Sequence, residues 1–229
     1  MPDSSCPVVT IDGPSGSGKG TVSRAVARHA GWHLLDSGAL YRLVALAGAT
    51  AGTPREDAAG HAGLARAMRV EFGWGPGGEE RVRLDGRDVS QEIRSETAGA
   101  GASRVAAWPQ VRAALLERQR AFAQPPGLVA DGRDMGTVVF PEAPLKIFLT
   151  ATAEERALRR HKQLKDKGSD VSLAALSREI AERDLRDQTR EVAPLKAAPD
   201  ACVIDSTALS ADAVVSRVLQ QMEARRLWP

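Results

Sequence analysis

The segment GPSGSGKGT at residues 13–21 contains the residues whose types and spacing have the clearest chemical meaning. It follows an apolar run at residues 8–11, and its closely spaced glycines allow several backbone N–H groups to point inward. The helix expected after it adds the positive end of its dipole, which attracts phosphate. Residues 13–19 match the G-x-x-x-x-G-K core of the Walker A motif, in which Lys19 reaches the β and γ phosphates. The segment therefore predicts a loop that binds a polyphosphate.

The residue after Lys19 departs from this motif. Gly20 stands where Ser or Thr is usual, and the hydroxyl comes one position later at Thr21. Because the hydroxyl at the usual position binds Mg²⁺, the shift leaves a metal-binding role for Thr21 open. A glycine-rich turn that binds nothing is the alternative interpretation. The correctly placed lysine, with strand and helix patterns on either side, disfavours it.

A second charged loop follows the apolar residues 128–130. Asp131 ends this run, as the Walker B carboxylate does in P-loop proteins, and is a candidate ligand for Mg²⁺. Arg133 and Asp134 add a donor fork and an acceptor between two glycines. The alternative is a turn that is stabilised by local aspartate hydrogen bonds.

Three arginines, Arg156, Arg159 and Arg160, are spaced to share one face of a helix. A solvated face beside Glu154 and Glu155 is one interpretation. The other is a mobile lid that closes on phosphates.

Arg183, Asp187 and Arg190 follow at i, i+4 and i+7 along one helical stripe. Intrahelical pairing accounts for part of this pattern. One acid between two arginines still leaves a positive charge for a phosphate, and these residues also suit a sugar hydroxyl.

Ser37 and Arg42 follow the second apolar run. Ser37 can cap the helix that begins there, and Arg42 lies on its first turns, beside a possible site for a second phosphate. An ordinary cap with a surface arginine is the alternative.

Together these groups indicate phosphoryl transfer between two anions, which needs charge neutralisation and positioning more than covalent chemistry. The four histidines have no zinc-like spacing.

An α/β fold must position these residues, because short apolar runs alternate with helical patterns. The expected strands are residues 8–11, 32–35, 128–130, 145–149 and 202–204. The expected helices are residues 20–29, 109–122, 153–167 and 173–190.

The interval 53–103 interrupts this alternation. A capping box at residues 53–56, with Pro54 at the first helical position, predicts a helix that ends near Met68. Residues 81–84 and 87–90 flank the turn signal Asp85-Gly86 and predict a small antiparallel sheet. The glycine-rich residues 72–78 are expected to form its exposed loop.

Composition limits the function. The chain has 229 residues, 43% hydrophobic content and a net charge of +2. The small charge and scattered aromatic residues argue against nucleic-acid binding. Two cysteines near opposite ends, no signal peptide and no apolar stretch of membrane-spanning length predict a soluble cytoplasmic protein.

With these residues assembled, the chain resembles the bacterial cytidylate kinases nearly from end to end. The matching segments are residues 11–21, 34–42, 88–94, 118–122, 130–141 and 182–187. The first is common to many nucleotide kinases, whereas the second, fifth and sixth together are specific.

The resemblance implies a P-loop kinase with a central five-stranded parallel sheet flanked by helices, a small antiparallel-sheet insert in the nucleoside-monophosphate-binding region, and a helical lid. The implied core comprises residues 1–37, 106–152 and 171–229, the monophosphate-binding domain residues 38–105 with its insert at about 60–95, and the lid residues 153–170. A monomer that transfers phosphate from ATP to CMP or dCMP with Mg²⁺ is implied.

The resemblance also assigns roles to residues. The ATP-binding set is Gly13, Pro14, Ser15, Gly16, Ser17, Gly18, Lys19, Gly20, Thr21, Arg156, Arg159 and Arg160. The CMP-binding set is Ser37, Arg42, Ser103, Arg112, Arg133, Asp134, Arg183, Asp187 and Arg190. The catalytic set is Lys19, Arg133, Arg159 and Arg190, and Asp131 is the candidate metal ligand. Ser103, Arg112 and Asp134 are similar to the family's cytosine-binding residues.

Two rival functions remain. An adenylate or uridylate kinase would share the phosphate loop and the lid but not the base-binding set. A P-loop GTPase or a nucleic-acid-dependent ATPase would leave the second anion site unexplained, and the chain has no asparagine for the guanine-binding Asn-Lys-x-Asp motif.

Overall fold

The computed structural model describes residues 6–74, 80–166, 168 and 171–227. The strands are β1 (Val8–Asp12), β2 (His33–Asp36), β3 (Val70–Trp74), β4 (Glu80–Leu84), β5 (Arg87–Asp88), β6 (Leu128–Gly132), β7 (Leu145–Thr150) and β8 (Cys202–Asp205). The helices are α1 (Lys19–Ala30), α2 (Ser37–Thr50), α3 (Ala58–Ala67), α4 (Glu96–Val105), α5 (Pro109–Arg120), α6 (Ala153–Asp166), α7 (Leu173–Thr189) and α8 (Ala211–Ala224). A 3₁₀ turn (Glu92–Arg94) and a π-helical turn (Met135–Val139) complete the described secondary structure.

The chain forms two compact units. Unit 1 comprises Met1–Asp36 and Gln119–Pro229, and unit 2 comprises Ser37–Arg118. The predicted monophosphate-binding segment 38–105 falls within unit 2, which continues to Arg118. The functional division into core, binding domain and lid stays a prediction.

Unit 1 contains a five-stranded sheet with the order β2-β6-β1-β7-β8, in which every neighbouring pair is parallel. All residues of β1 and β6 are buried, as expected for strands covered on both faces. Val22 of α1 and Val218 of α8 pack with Ile11 and Ile147 in one hydrophobic core. The predicted α/β class and five-stranded parallel sheet are confirmed.

Unit 2 contains the antiparallel sheet β3-β4-β5 together with α2, α3 and α4. The predicted hairpin turn is present: Asp85 and Gly86 have φ angles of 50° and 84°, the left-handed geometry that tight hairpins require. The prediction for residues 72–78 is wrong at its start, because residues 72–74 belong to β3. Residues 75–78 lie outside the described residues.

The predicted capping box at residues 53–56 is wrong. The helix begins at Ala58, where the carboxylate of Asp57 accepts a hydrogen bond of 2.8 Å from the Gly60 N–H. This bond satisfies an N-terminal donor of the helix, so the chain before Asp57 stays non-helical. Three other helices end before the predicted residue: α5 ends at Arg120, α6 at Asp166 and α7 at Thr189. Residue 167 lies outside the described residues.

Within the described part of the chain, no helix combines the length and hydropathy that crossing a membrane requires.

Candidate active site

The phosphate-binding loop joins β1 to α1 and requires its glycines. Gly16 and Gly18 have φ angles of 77° and 89°, which L-residues rarely adopt. A Cβ atom on Gly13 would stand 2.0 Å from the carbonyl oxygen of Leu149. The loop therefore lies directly against β7, and the inward direction of its backbone N–H groups stays a prediction.

Lys19 is buried at the end of this loop. Its Nζ atom donates a hydrogen bond of 3.0 Å to the Pro14 carbonyl oxygen. Burial lowers the pKa of the ammonium, and the nearby charges of Arg133 and Arg183 lower it further, whereas Asp131 opposes them. A bound polyphosphate would favour the charged form of Lys19.

Asp131 is the second-last residue of β6 and lies close to Gly20 at the start of α1. Burial raises the pKa of its carboxyl, and the charge of Lys19 opposes that rise. Its Oδ1 atom accepts no hydrogen bond from any described residue. A Cβ atom on Gly20 would lie 3.2 Å from the other oxygen, so a larger residue at position 20 would press on the carboxylate. This contact gives a physical reason for the departure from the Walker A motif.

The donor set at Asp131 fits Mg²⁺ that is carried by a nucleotide. No group of three or more His, Cys, Asp or Glu side chains able to hold a metal occurs among the described residues. Mg²⁺ usually binds proteins through one or two carboxylates and takes its other ligands from water and substrate phosphates. A single buried carboxylate oxygen without a hydrogen bond suits that mode.

A cavity of about 510 Å³ opens beside the phosphate-binding loop. It is lined by residues 16–22, by Arg159, Arg160 and Lys162 of α6, and by Leu209 before α8. Its size is that of an ordinary small-molecule site. Arg159 and Arg160 thus face the same space as the loop, which supports their predicted role toward ATP.

Arg159 is held by the segment after β8. Its guanidinium donates to the carbonyl oxygen of Ser206 at 2.6 Å and to the Ser206 hydroxyl at 3.1 Å. It also pairs with Glu155 at 2.8 Å, one turn earlier on α6. This side chain is therefore fixed between α6 and the end of β8.

Arg156 is buried, so it does not fit a solvated face, which was one of the two interpretations of the three arginines. Its guanidinium donates to the carbonyl oxygens of Ser15 at 2.9 Å and Ala151 at 3.1 Å, and it pairs with Asp184 of α7. It is not among the residues that line the cavity. In this structure Arg156 therefore supports the phosphate-binding loop through Ser15, from outside the cavity.

The structure brings together the predicted acceptor-side residues of unit 1. Arg133 donates to the carboxylate of Asp187 at 3.0 Å, and the nearest atoms of Arg190 and Asp134 are 3.7 Å apart. Burial by itself raises the pKa of Asp187, but Arg133, Arg183 and Arg190 outweigh it and lower the pKa. Three arginines around two carboxylates leave a net positive charge for an anion.

Asp187 pairs across elements. The sequence allowed this side chain to pair along its own helix, yet its hydrogen bond comes from Arg133 in the loop after β6. The loop and α7 therefore form one charged cluster.

Two predicted acceptor residues lie on α2 in unit 2. Ser37 is the first residue of this helix and is buried. Arg42 donates a hydrogen bond of 2.7 Å to the Ile93 carbonyl oxygen. This bond orients the guanidinium that the sequence assigns to a phosphate.

The predicted base-binding residues of unit 2 are both buried. Ser103 on α4 has a hydroxyl without a hydrogen-bond partner in the part of the chain that the structure describes. Arg112 donates to the Ala106 carbonyl oxygen at 3.2 Å, and its guanidinium lies 5.7 Å from the ring centre of Tyr41. The fold thus holds Arg112 in place, whereas the buried Ser103 hydroxyl is left to bind a ligand.

Sequence reasoning missed three residues that support the site. Asp12 accepts two backbone N–H bonds from the loop after β6. Asp184 pairs with Arg156, and the Ser206 hydroxyl donates to the Ser17 carbonyl oxygen at 3.3 Å. A signal existed for Asp12, because it directly follows an apolar run in the sequence, as Asp131 does, whereas only tertiary structure reveals the other two.

A phosphate loop after the first strand of a parallel sheet, with a second charged loop after the strand beside it, defines a P-loop kinase. The sequence profile of cytidylate kinase matches residues 9–224. This chain belongs to the cytidylate kinase family.

Three relatives cover nearly the whole chain. The cytidylate kinase of Stutzerimonas stutzeri is 59% identical over 96% of this chain and 97% of its own length. That of Pseudomonas putida is 57% identical over 98% of this chain and 99% of its own length. That of Methylococcus capsulatus is 56% identical over 95% of this chain and 97% of its own length.

Proposed function

We propose that this protein transfers the γ-phosphoryl group of ATP to CMP, and also to dCMP, giving ADP and CDP or dCDP. One observation carries the proposal beyond the family assignment. Strands β1 and β6 are parallel neighbours, so the phosphate-binding loop and the loop that carries Arg133 follow the same edge of the sheet, and Arg133 donates to Asp187. A donor loop and a second anion-attracting cluster therefore share one edge of the sheet in unit 1, as transfer between two phosphates requires.

On the donor side, the loop N–H groups and Lys19 hold the β and γ phosphates. Arg159 and Arg160 neutralise charge from the α6 side of the cavity. Asp131 would hold Mg²⁺, which neutralises charge on the phosphate oxygens when it is bound. Arg156 keeps the loop in position through Ser15.

On the acceptor side, Arg42, Arg133 and Arg190 bind the CMP phosphate. Arg183 and Asp187 contact the sugar. Arginine suits the phosphate role because its planar guanidinium can donate two parallel hydrogen bonds to one phosphate.

The base is bound by Ser103, Arg112 and Asp134. Cytosine offers a donor at its amino group and acceptors at N3 and O2, so it needs an acceptor and a donor fork together. Uracil reverses two of these three groups, which would leave buried partners unpaired.

The test measures ADP release with CMP, dCMP, UMP and AMP as acceptors at equal concentration. CMP and dCMP should react at least about 100-fold faster in kcat/KM than UMP or AMP, because a mismatched acceptor leaves polar groups unpaired. Lys19→Met is the control and should abolish release with every acceptor. Equal rates for all four acceptors, or undiminished ATP hydrolysis without one, would contradict the proposal.

A further inference from the structure

Asp12, the last residue of β1, is only 4% exposed and uses both of its carboxylate oxygens. Oδ1 accepts a hydrogen bond of 2.9 Å from the Met135 N–H, and Oδ2 accepts one of 2.8 Å from the Gly136 N–H. These are the first two N–H groups of the π-helical turn Met135–Val139. Asp12 therefore caps a turn that lies more than a hundred residues away in the chain.

Asp134 occupies the position from which a side chain usually caps a helical turn. In the described structure it makes no capping hydrogen bond to this turn. Its Oδ1 atom instead lies 3.7 Å from Nη2 of Arg190, within the acceptor-side cluster. The carboxylate of Asp12 thus does the capping that would otherwise fall to Asp134.

The turn also packs tightly against the central sheet. A Cβ atom on Gly136 would lie 2.8 Å from Oγ1 of Thr10 and 3.2 Å from two side-chain carbons of Lys146. The turn has no room to approach the sheet more closely, so its position is set by packing from one side and by Asp12 from its N-terminus.

We infer that Asp12 is a positioning residue for the acceptor side of the reaction. By fixing the turn against β1, it sets Arg133 and Asp134 relative to the phosphate-binding loop, which begins at the next residue. The inference rests on the proposed function, since it assigns those two residues to CMP.

The test is Asp12→Asn, assayed at pH 8. Asparagine keeps the shape of the side chain but turns an NH₂ donor toward one of the two backbone N–H groups. KM for CMP should rise at least about tenfold and kcat should fall, because a buried N–H loses its acceptor. The Kd for ATP, measured without CMP, should stay within about twofold, because backbone pairing with both neighbouring strands holds β1 up to the start of the phosphate loop.

Asp57→Asn is the matched control. It makes the same change where a carboxylate caps α3, and it should alter neither constant.

A second pair of variants decides the matter should Asp12→Asn fail to fold. Gly136→Ala keeps the Asp12 carboxylate but pushes the turn away from Thr10, and with it the Gly136 N–H that donates to Asp12, so it should raise KM for CMP. Adding Thr10→Ala removes the clashing oxygen and should restore much of the wild-type value.

Two results would overturn the positioning role. One is an unchanged KM for CMP in Asp12→Asn, or in Gly136→Ala if the first variant does not fold. The other is an ATP Kd that weakens as much as the CMP KM rises. A wild-type protein that does not phosphorylate CMP would instead contradict the proposed function.

Discussion

Asp12 is the last residue of β1 and Asp131 the second-last residue of the neighbouring β6, so their side chains lie on opposite faces of the sheet. Asp131 is paired with Ile11 in the strand register, and Asp12 is paired with Gly132. Because side chains alternate along a strand, the two carboxylates point to opposite faces. Asp131 is directed toward Lys19 and the proposed nucleotide phosphates, whereas Asp12 binds the backbone N–H groups of Met135 and Gly136. Sequence spacing alone predicts that both residues reach this edge, but the register decides which one can meet a ligand.

The burial of Asp12 gives a prediction on pH and stability. Burial raises the pKa of its carboxyl to about 7, although the bonds from Gly136 and Met135 lower it. In the unfolded chain a carboxyl ionises near pH 4, about its ordinary value. The folded protein therefore binds an extra proton between these pH values, and the contribution of Asp12 to stability falls as pH rises through the range.

Asp12→Asn cannot titrate at this position, so it removes the contribution of Asp12 to the pH dependence of stability. The free energy of unfolding of the wild type, minus that of the variant, should be larger at pH 5 than at pH 8. Urea unfolding at the two pH values measures it. A difference that is constant or increases with pH would contradict the raised pKa.

At the scale of elements, the strands of unit 1 were predictable because each contains a short apolar run, although only β1 and β6 are buried along their whole length. Helix α4 was missed because Gly99 and Gly101 within it lower its helix propensity. Those small residues serve packing: a Cβ atom on Gly101 would lie 2.9 Å from that of Ala45 on α2. A glycine that lowers helix propensity can therefore be required by close contact between two helices, and a sequence does not show that contact. Strand β3 was missed because Gly73 interrupts its alternation.

The phosphate-binding loop could be predicted from its motif, but its support could not. Arg156 joins the start of α6 to Ser15 and Asp184, and nothing in its spacing distinguishes it from Arg159 or Arg160. A helical stripe of like charges indicates a surface, yet here one of the three arginines points inward.

Arg156→Ala should therefore reduce both stability and ATP affinity. The change leaves Asp184 buried without its partner, which costs about 3–5 kcal/mol for a buried ion pair. It also removes a donor to the phosphate loop. Thermal unfolding and the Kd for ATP measure the two effects.

Two further variants make this result specific. Asp184→Asn added to Arg156→Ala should recover part of the stability, because the unpaired charge is removed. Arg225→Ala, at an exposed bond to Gln221, should change neither quantity. Wild-type ATP affinity in Arg156→Ala would exclude a role in supporting the loop.

At the scale of the whole molecule, the chain leaves unit 1 after Asp36 and returns to it at Gln119. The residues assigned to CMP are divided between the two units, whereas those assigned to ATP all belong to unit 1. Each unit has its own sheet, parallel in one and antiparallel in the other.

We expect a monomer, as the family resemblance implies. Light scattering on the purified protein should give a mass near 24.3 kDa that does not change on dilution or when ATP is added. A stable dimer mass at micromolar concentration would contradict this expectation.

The position of β6 in the sheet has a consequence for synthesis on the ribosome. β6 lies between β2 and β1, although it leaves the ribosome long after both of them. Until it emerges, the first two strands have no common neighbour and cannot pair into the native sheet. While all of unit 2 is translated, both apolar segments therefore lack the strand with which they pair. Exposed segments of this kind are prone to aggregate. Nascent chains that stop before Leu128 would then carry an intact Walker A sequence without the strand needed to shape it.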